Sequence, residues 1–256
     1  MDRKNKKTIL LAGSTGRIGE KLTQKFLSLG ANVIGIDINE EKIEDQEKLY
    51  KDNDSSMFIP CDITDSDSLK KVISLGEERF NEINSAVNLT YPRNNEYGKY
   101  FEDVTYDSFS ENLSMHLGGY FIFMQQCSAY SIQNNIEFSL VNFSSVYGVI
   151  PPRFDLYEET DMTMPVEYAA IKSGIQHLSQ YLTQLTKNTL FRVNCVSPGG
   201  IEDGQDKKFL ERYKKYSRGK GMLDPEDVLG TVIFLCSDDS RYICGQNIII
   251  DDGFSL

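Results

Sequence analysis

Tyr168 and Lys172 stand four residues apart in Tyr168-Ala169-Ala170-Ile171-Lys172, within a stretch that reads as helix. One helical turn separates them, so both side chains share a face. An ammonium held beside a phenol favours the phenolate, and a tyrosine that ordinarily titrates near ~10 could then pass a proton at neutral pH. The chemistry on offer is acid/base work on a rigid support. Taken alone, the same spacing is that of two packing or surface residues, so the rest of the chain has to decide.

The element that must hold the pair begins at Pro165. Val166, Ala169, Ala170, Ile175, Leu178, Leu182 and Leu185 recur at helical spacing, with Gln176, Gln180, Gln184 and Lys187 on the polar side, which predicts a helix of about five turns over Val166–Lys187. Around it, short apolar runs alternate with helical patterns from end to end. Strands are predicted at Thr8–Ala12, Asn32–Asp37, Met57–Cys61, Ser85–Leu89, Phe138–Phe143, Phe191–Ser197 and Asn247–Ile250. Helices are predicted near Arg17–Leu29, Ser66–Phe80, Tyr106–Ser131, Lys207–Tyr216 and Pro225–Cys236. This alternation predicts an α/β fold, a parallel sheet covered on both faces with ligands at the carboxyl ends of its strands.

The first strand runs into Gly13-Ser14-Thr15-Gly16-Arg17-Ile18-Gly19 and then a helix. Glycines let the backbone approach a pyrophosphate, and a helix start offers free N–H groups and the positive end of its dipole. Asp37 ends the second strand roughly 20 residues on, where a carboxylate accepts the hydroxyls of an adenosine ribose. It would repel a 2′-phosphate, so NAD(H) is expected over NADP(H).

The remaining composition narrows the partners. A chain of 256 residues can bury one large α/β core, and a net charge of −11 argues against nucleic acid or an anionic membrane as partner. The polar, basic start and the short run Thr8–Ala12 offer neither a signal segment nor a membrane span, so a cytoplasmic protein is expected. Cys61, Cys127, Cys195, Cys236 and Cys244 form no paired motif and read as reduced packing residues, and His116 and His177 are too few to suggest a metal site.

Together these residues resemble the short-chain dehydrogenase/reductase family over essentially the whole chain. Besides the glycine turn, Asp62-Ile63 resembles the segment that contacts adenine, and Asn88 falls at the first Asn of the family's stretch after the fourth strand. Ser144-Ser145-Val146-Tyr147-Gly148 matches the serine motif, Tyr168 and Lys172 the YxxxK motif. Arg192 to Ile201 matches the segment that holds the nicotinamide, with Pro198, Gly199 and Ile201 at the contact. The resemblance implies a single Rossmann-type, doubly wound domain with a mostly parallel seven-stranded sheet over residues 1–256. It also implies hydride exchange with a secondary alcohol or ketone, in which Tyr168 handles the proton, Ser145 bonds the oxygen, and Lys172 holds the ribose and lowers the Tyr168 pKa.

Three departures from the family pattern shape the expectation. The glycines follow G-x-x-G-x-x-G, the spacing of the extended, often sugar-nucleotide-modifying branch. His116 stands where the fourth catalytic residue is usually Asn, and is expected to take over the proton-relay contact or to touch substrate. Ser145 and Tyr168 are unusually far apart, leaving an insert at about 149–165 that emerges beside the substrate. Polar, tyrosine-rich loops with Arg93 and Arg153 suit a hydroxylated, anionic substrate such as a sugar phosphate, and Arg218-Gly219-Lys220-Gly221 could close from the other side. The wording around Tyr168, His116 and Asp224 also resembles a bacterial subgroup linked to flagellin modification and surface-sugar biosynthesis. A non-catalytic dinucleotide-binding scaffold and an NAD-retaining epimerase or dehydratase are the competing readings. A homodimer or homotetramer through the Tyr106–Ser131 and Val166–Lys187 helices is implied as well, with Phe121, Phe123, Met124 and Tyr181 as apolar contacts.

Overall fold

The computed structural model describes residues 6–256; residues 1–5, part of the polar start read above, lie outside them. Seven strands, β1 (Thr8–Ala12), β2 (Asn32–Asp37), β3 (Ser56–Pro60), β4 (Ser85–Asn88), β5 (Phe138–Phe143), β6 (Phe191–Pro198) and β7 (Asn247–Ile250), form one sheet in the order β3-β2-β1-β4-β5-β6-β7. All pairings are parallel. The central β1, with all five residues buried, is a continuous apolar run because both its faces are covered. Successive side chains point to opposite faces, and the sequence separates accordingly. Leu10, Ala12, Ile34, Ala86 and Leu140 pack under one layer, while Ile9, Leu11, Val33, Val87 and Val141 pack under the other.

The first layer holds α3 (Ser66–Phe80), α5 (Gly118–Asn134) and α6 (Val166–Leu185), which present Leu69, Val72, Phe123, Ile171 and Ile175 to the sheet. The second holds α1 (Arg17–Ser28) and α8 (Leu229–Cys236), which present Leu22, Phe26, Val232 and Leu235. Phe123 and Met124, expected at a subunit contact, are instead inside the first layer, whereas Phe121 and Tyr181 are exposed. Cys244, on the segment before β7, is likewise exposed, unlike the other four cysteines.

Two differences from the sequence expectation bear on the site, besides the 3-10 turn at Pro225–Val228 that opens the helix expected at Pro225–Cys236. Residues 40–49 form α2 (Glu40–Leu49), which the periodicity did not predict since only Ile43 and Gln46 are buried; the Asn39 side chain caps it by accepting from the Lys42 N–H. The helix expected over Tyr106–Ser131 is divided into α4 (Tyr106–Asn112), a π-helical turn at Leu113–Leu117, and α5. π-Turns of this kind concentrate at functional sites, and this one carries His116.

A third apolar cluster stands apart from the sheet. Val146 and Leu156, beside Tyr147, Ile150, Tyr157 and Met162, pack with Phe209, Tyr213 and Met222 of the region containing α7 (Lys207–Tyr216), and with Phe254. Residues 149–165 are therefore anchored by their own small core. At the rim, Lys208 pairs with Glu159 at 3.1 Å, and the Arg212 guanidinium donates to the Glu158 carbonyl.

Candidate active site

The order of the sheet reverses between β1 and β4, and the crevice there is a cleft of about 530 Å³ at the carboxyl ends of the strands. Ala12 is in register with both Ile36 and Asn88, so the chain leaves three neighbouring strands at one level. On the β1 side the turn is set by close approach. Gly13 has φ +80°, and a Cβ on Gly19 would fall 2.1 Å from the Gly13 carbonyl oxygen. Gly13 and Ser14 N–H groups donate to the Ile36 carbonyl at 2.8 and 3.1 Å, and Gln46 of α2 holds Ser14 through two 2.8 Å hydrogen bonds.

Gly16, the N-cap of α1, makes no side-chain cap bond, and Gly13, Gly16, Arg17, Ile18 and Gly19 line the cleft. An uncapped helix start beside a tight glycine turn fits a pyrophosphate. Asp37 sits at the adjacent rim, its carboxylate accepting from the Thr15 hydroxyl at 2.7 Å and from the Asn39 N–H at 3.1 Å. Asn88 is buried at the end of β4, where Oδ1 accepts from the Thr90 N–H and hydroxyl and Nδ2 has no partner among the described residues. A buried amide left unpaired next to a dinucleotide-shaped turn is a further sign of fit. Pro198, Gly199 and Ile201 line the opposite wall. Thr15, Asp37, Asp62, Ile63 and Asn88 lie outside the enclosed lining; the Asp62 carboxylate accepts from Thr64 after β3, and Ile63 packs toward Gly119.

Ser145, Tyr168 and Lys172 converge on the same cleft from two elements. Ser145 opens the turn after β5, which is locked to α6: the Ser144 hydroxyl donates to the Lys172 carbonyl at 2.8 Å, and the Gln176 amide donates to the Ser144 and Ser197 hydroxyls. Lys172 Nζ donates to the Phe143 carbonyl at 3.0 Å and lies 3.4 Å from His116 Nε2. The rings of Tyr91, Tyr120 and Tyr168 surround it at 5.7, 5.5 and 5.6 Å.

Burial decides the protonation of this cluster. It pushes the Tyr168 phenol up, against the pull of the Ser145 hydroxyl, and pushes Lys172 down to about 7. The expectation that the Lys172 charge lowers the Tyr168 pKa is not met here, because the same desolvation works against that charge. His116 is fully buried, and burial, with the Lys172 charge second, drives its pKa far down, so the imidazole is neutral. With Lys172 as donor, Nε2 must accept, which places the proton on Nδ1. His116 thus contacts Lys172 through Nε2 but does not line the cleft.

The rest of the cleft wall is aromatic and thioether. Tyr91, Tyr147, Tyr157, Met162, Met164 and Pro165 line it together with Phe209, Tyr213, Met222 and Phe254, many of them members of the third cluster. Arg93 and Arg153 are not part of it. The Arg153 guanidinium lies 4.2 Å over the Tyr216 ring and donates to the Phe254 carbonyl at 3.2 Å, and Arg93 lies 5.1 Å over Tyr91. Gly219 and Lys220 donate their N–H groups to the Asp252 carboxylate, and residues 218–221 do not line the cleft. Arg17 does cross the mouth, pairing with Asp203 at 2.9 Å. Sequence reasoning missed Phe209, Tyr213, Met222 and Phe254, whose only signal was an apolar character shared with every core residue.

A family model described as enoyl-(acyl carrier protein) reductase matches residues 12–255. The chain belongs to the short-chain dehydrogenase/reductase family. It is 38% identical over 257 residues, 98% of each chain, to the post-translational flagellin modification protein A of Campylobacter coli. It is also 27% identical to a 7alpha-hydroxysteroid dehydrogenase of Bacteroides fragilis, covering all of this chain and 97% of that one. Among solved structures, a short chain dehydrogenase from Leptospira borgpetersenii with bound NAD+ superposes with a TM-score of 0.86 at 31% identity, covering 98% of this chain and 94% of that one. This short-chain dehydrogenase/reductase is therefore an oxidoreductase acting on a small molecule. No helix among its described residues is long and apolar enough to cross a membrane.

Proposed function

We propose that this enzyme interconverts a secondary alcohol and a ketone on a small polar, sugar-derived metabolite with NAD(H) as cofactor. The observation that carries the reading is the meeting of Ser145, Tyr168 and Lys172 with the glycine turn in one cleft. Asp37 supports NAD(H) over NADP(H), since a carboxylate held by Thr15 accepts ribose hydroxyls and repels a phosphate. The flagellin-modifying relative supports a sugar, and tyrosine rings suit the C–H face of one. Arg93 and Arg153 drop out as anion ligands.

Gly13, Thr15, Gly16, Arg17, Ile18 and Gly19 would hold the pyrophosphate side, Asp37 the adenosine ribose, and Asp62 and Ile63 the adenine. Asn88, Pro198, Gly199 and Ile201 would border the nicotinamide side. The bound nicotinamide supplies the hydride acceptor or donor. The chain's own residues do the rest. Ser145 donates a hydrogen bond to the substrate oxygen, where charge develops. Tyr168 gives its phenolic proton to that oxygen in reduction and takes it back in oxidation. Lys172 holds the ribose, and the neutral His116 accepts from its ammonium at Nε2 and so fixes its position beside Tyr168. A phenol pushed up by burial stays protonated at neutral pH, so reduction runs there and oxidation gains as pH rises.

A panel of keto- and hydroxy-sugars, free, phosphorylated and nucleotide-linked, read by absorbance of the reduced cofactor, tests the reading. Net turnover with NAD(H) that Tyr168→Phe abolishes is the expected result. Cofactor that stays bound without net conversion while the sugar is rearranged would replace it with the epimerase or dehydratase reading. Exposed Phe121, Tyr181 and Leu185 on α5 and α6 support a homo-oligomer through these helices, which light scattering checks.

A further inference from the structure

Tyr91, three residues beyond β4, belongs to neither the glycine turn nor the Tyr168–Lys172 pair, yet its ring meets nearly every proton-handling group. It lies edge-on to His116 with centroids 5.2 Å apart and edge-on to Tyr168 at 5.7 Å. Lys172 Nζ is 5.7 Å from the same ring. Tyr91 is 39% exposed and faces the cleft, whereas Lys172 is 4% and His116 0% exposed. It is thus the wall between solvent and the cluster.

The ring is also held in place. Its hydroxyl donates to the Tyr97 hydroxyl at 2.8 Å, and the Arg93 guanidinium covers it at 5.1 Å. The loop behind it is fixed by Asn94, whose N–H donates to Asn112 Oδ1 at 2.9 Å and whose amide donates to Glu111 at 2.6 Å. Asn112 in turn approaches Glu167, the neighbour of Tyr168 in sequence, at 3.5 Å.

We propose that Tyr91 is a positioning residue for the reaction proposed above, closing the solvent side of the Lys172 cage and fixing the orientation of the Tyr168 phenol. The rest of the cage is His116 from the π-turn, Tyr120 from α5 and the Phe143 carbonyl from β5, with the Cys195 thiol of β6 nearby, and it leaves Lys172 open to the cleft itself. Tyr168 faces Ser145 and Tyr147 as its other polar neighbours. Around Tyr91 itself the charged groups are Arg93, outside the ring, and Glu167, behind the loop. Lys172 is therefore the one cation inside among the described residues, and its state depends on dryness. Opening the wall hydrates the cage, which raises the Lys172 pKa and lowers that of Tyr168.

Two readouts on Tyr91→Phe and Tyr91→Ala test this. In the oxidation direction the active form carries ionised Tyr168, so Tyr91→Ala is expected to move the rising pH limb of kcat/KM down by about one unit and to lower kcat about tenfold, with cofactor KM unchanged. Tyr91→Phe, which keeps the ring, retains the limb of the unaltered enzyme. Independently of turnover, NMR titration of the Lys172 side chain should show its midpoint raised in Tyr91→Ala alone. A reduced kcat with both midpoints unmoved would overturn the proposal, as would equal shifts in Tyr91→Phe. If no substrate turns over, the Lys172 titration still decides for or against Tyr91, and only the enzymatic reading falls.

Discussion

The two halves of the cleft are built by opposite means. The half below β1 is made mostly of backbone, seven consecutive residues from Gly13 to Gly19 whose carbonyls and N–H groups set the shape, with the Ser14 and Thr15 hydroxyls tying the turn to Gln46 and Asp37. The half around Lys172 is made of side chains from five separate stretches, Tyr91, His116, Tyr120, Ser145 and the Tyr168–Lys172 turn of α6, which only the closed sheet brings together. A local device tolerates little change at a few positions, whereas a convergent one spreads its sensitivity over distant parts of the chain.

Substitutions can break this contrast. Tyr168→Phe should lower kcat about 10²–10⁴-fold and leave dinucleotide affinity in a fluorescence titration unchanged. A parallel loss of affinity would mean that the halves are not separable. Phe254→Ala, which empties a fully buried site in the third cluster, should cost about 3–5 kcal/mol in urea unfolding and raise KM for the substrate but not for the cofactor. Gly19→Ala should do the reverse. Its Cβ meets backbone that cannot give way, so a loss of about 1–3 kcal/mol accompanied by weak dinucleotide binding is expected, with the pH limb of Tyr168 in place.

The smallest effect concerns His116. It is neutral in the folded protein, while the unfolded chain takes up a proton below about 6.5, so folding stability is full above that pH and falls on acidification. Unfolding free energies from urea titrations at pH 7.5 and 5.5 should differ by about 1 kcal/mol more for the native sequence than for His116→Asn. An equal difference would show that His116 is hydrated and that the cage is open.

The same contrast explains what could be read in the chain. The strands, the glycine turn and the Tyr168–Lys172 spacing are local patterns, and the sheet places them where the alternation of apolar runs predicts. Helix α2 escaped because Ile43 and Gln46 are its only buried residues, too few to mark a period. The π-turn at Leu113–Leu117 escaped because a single widened turn leaves no compositional trace. Arg93 and Arg153 misled for a related reason: charge is visible in a sequence, but which side of an aromatic ring the guanidinium takes is not. The opposing shifts of Tyr168 and Lys172 depend on how much water the folded cleft admits, which spacing alone does not specify.

The third cluster shares no residue with the two that sandwich the sheet. Mutational drift in residues 149–165 can therefore remodel the mouth of the cleft while the glycine turn stays untouched, whereas α7 is tied to the wall at Gly200, whose N–H donates to the Tyr213 hydroxyl at 2.7 Å. A lineage needing a new metabolite could graft this wall and inherit the Ser145, Tyr168 and Lys172 cluster whole.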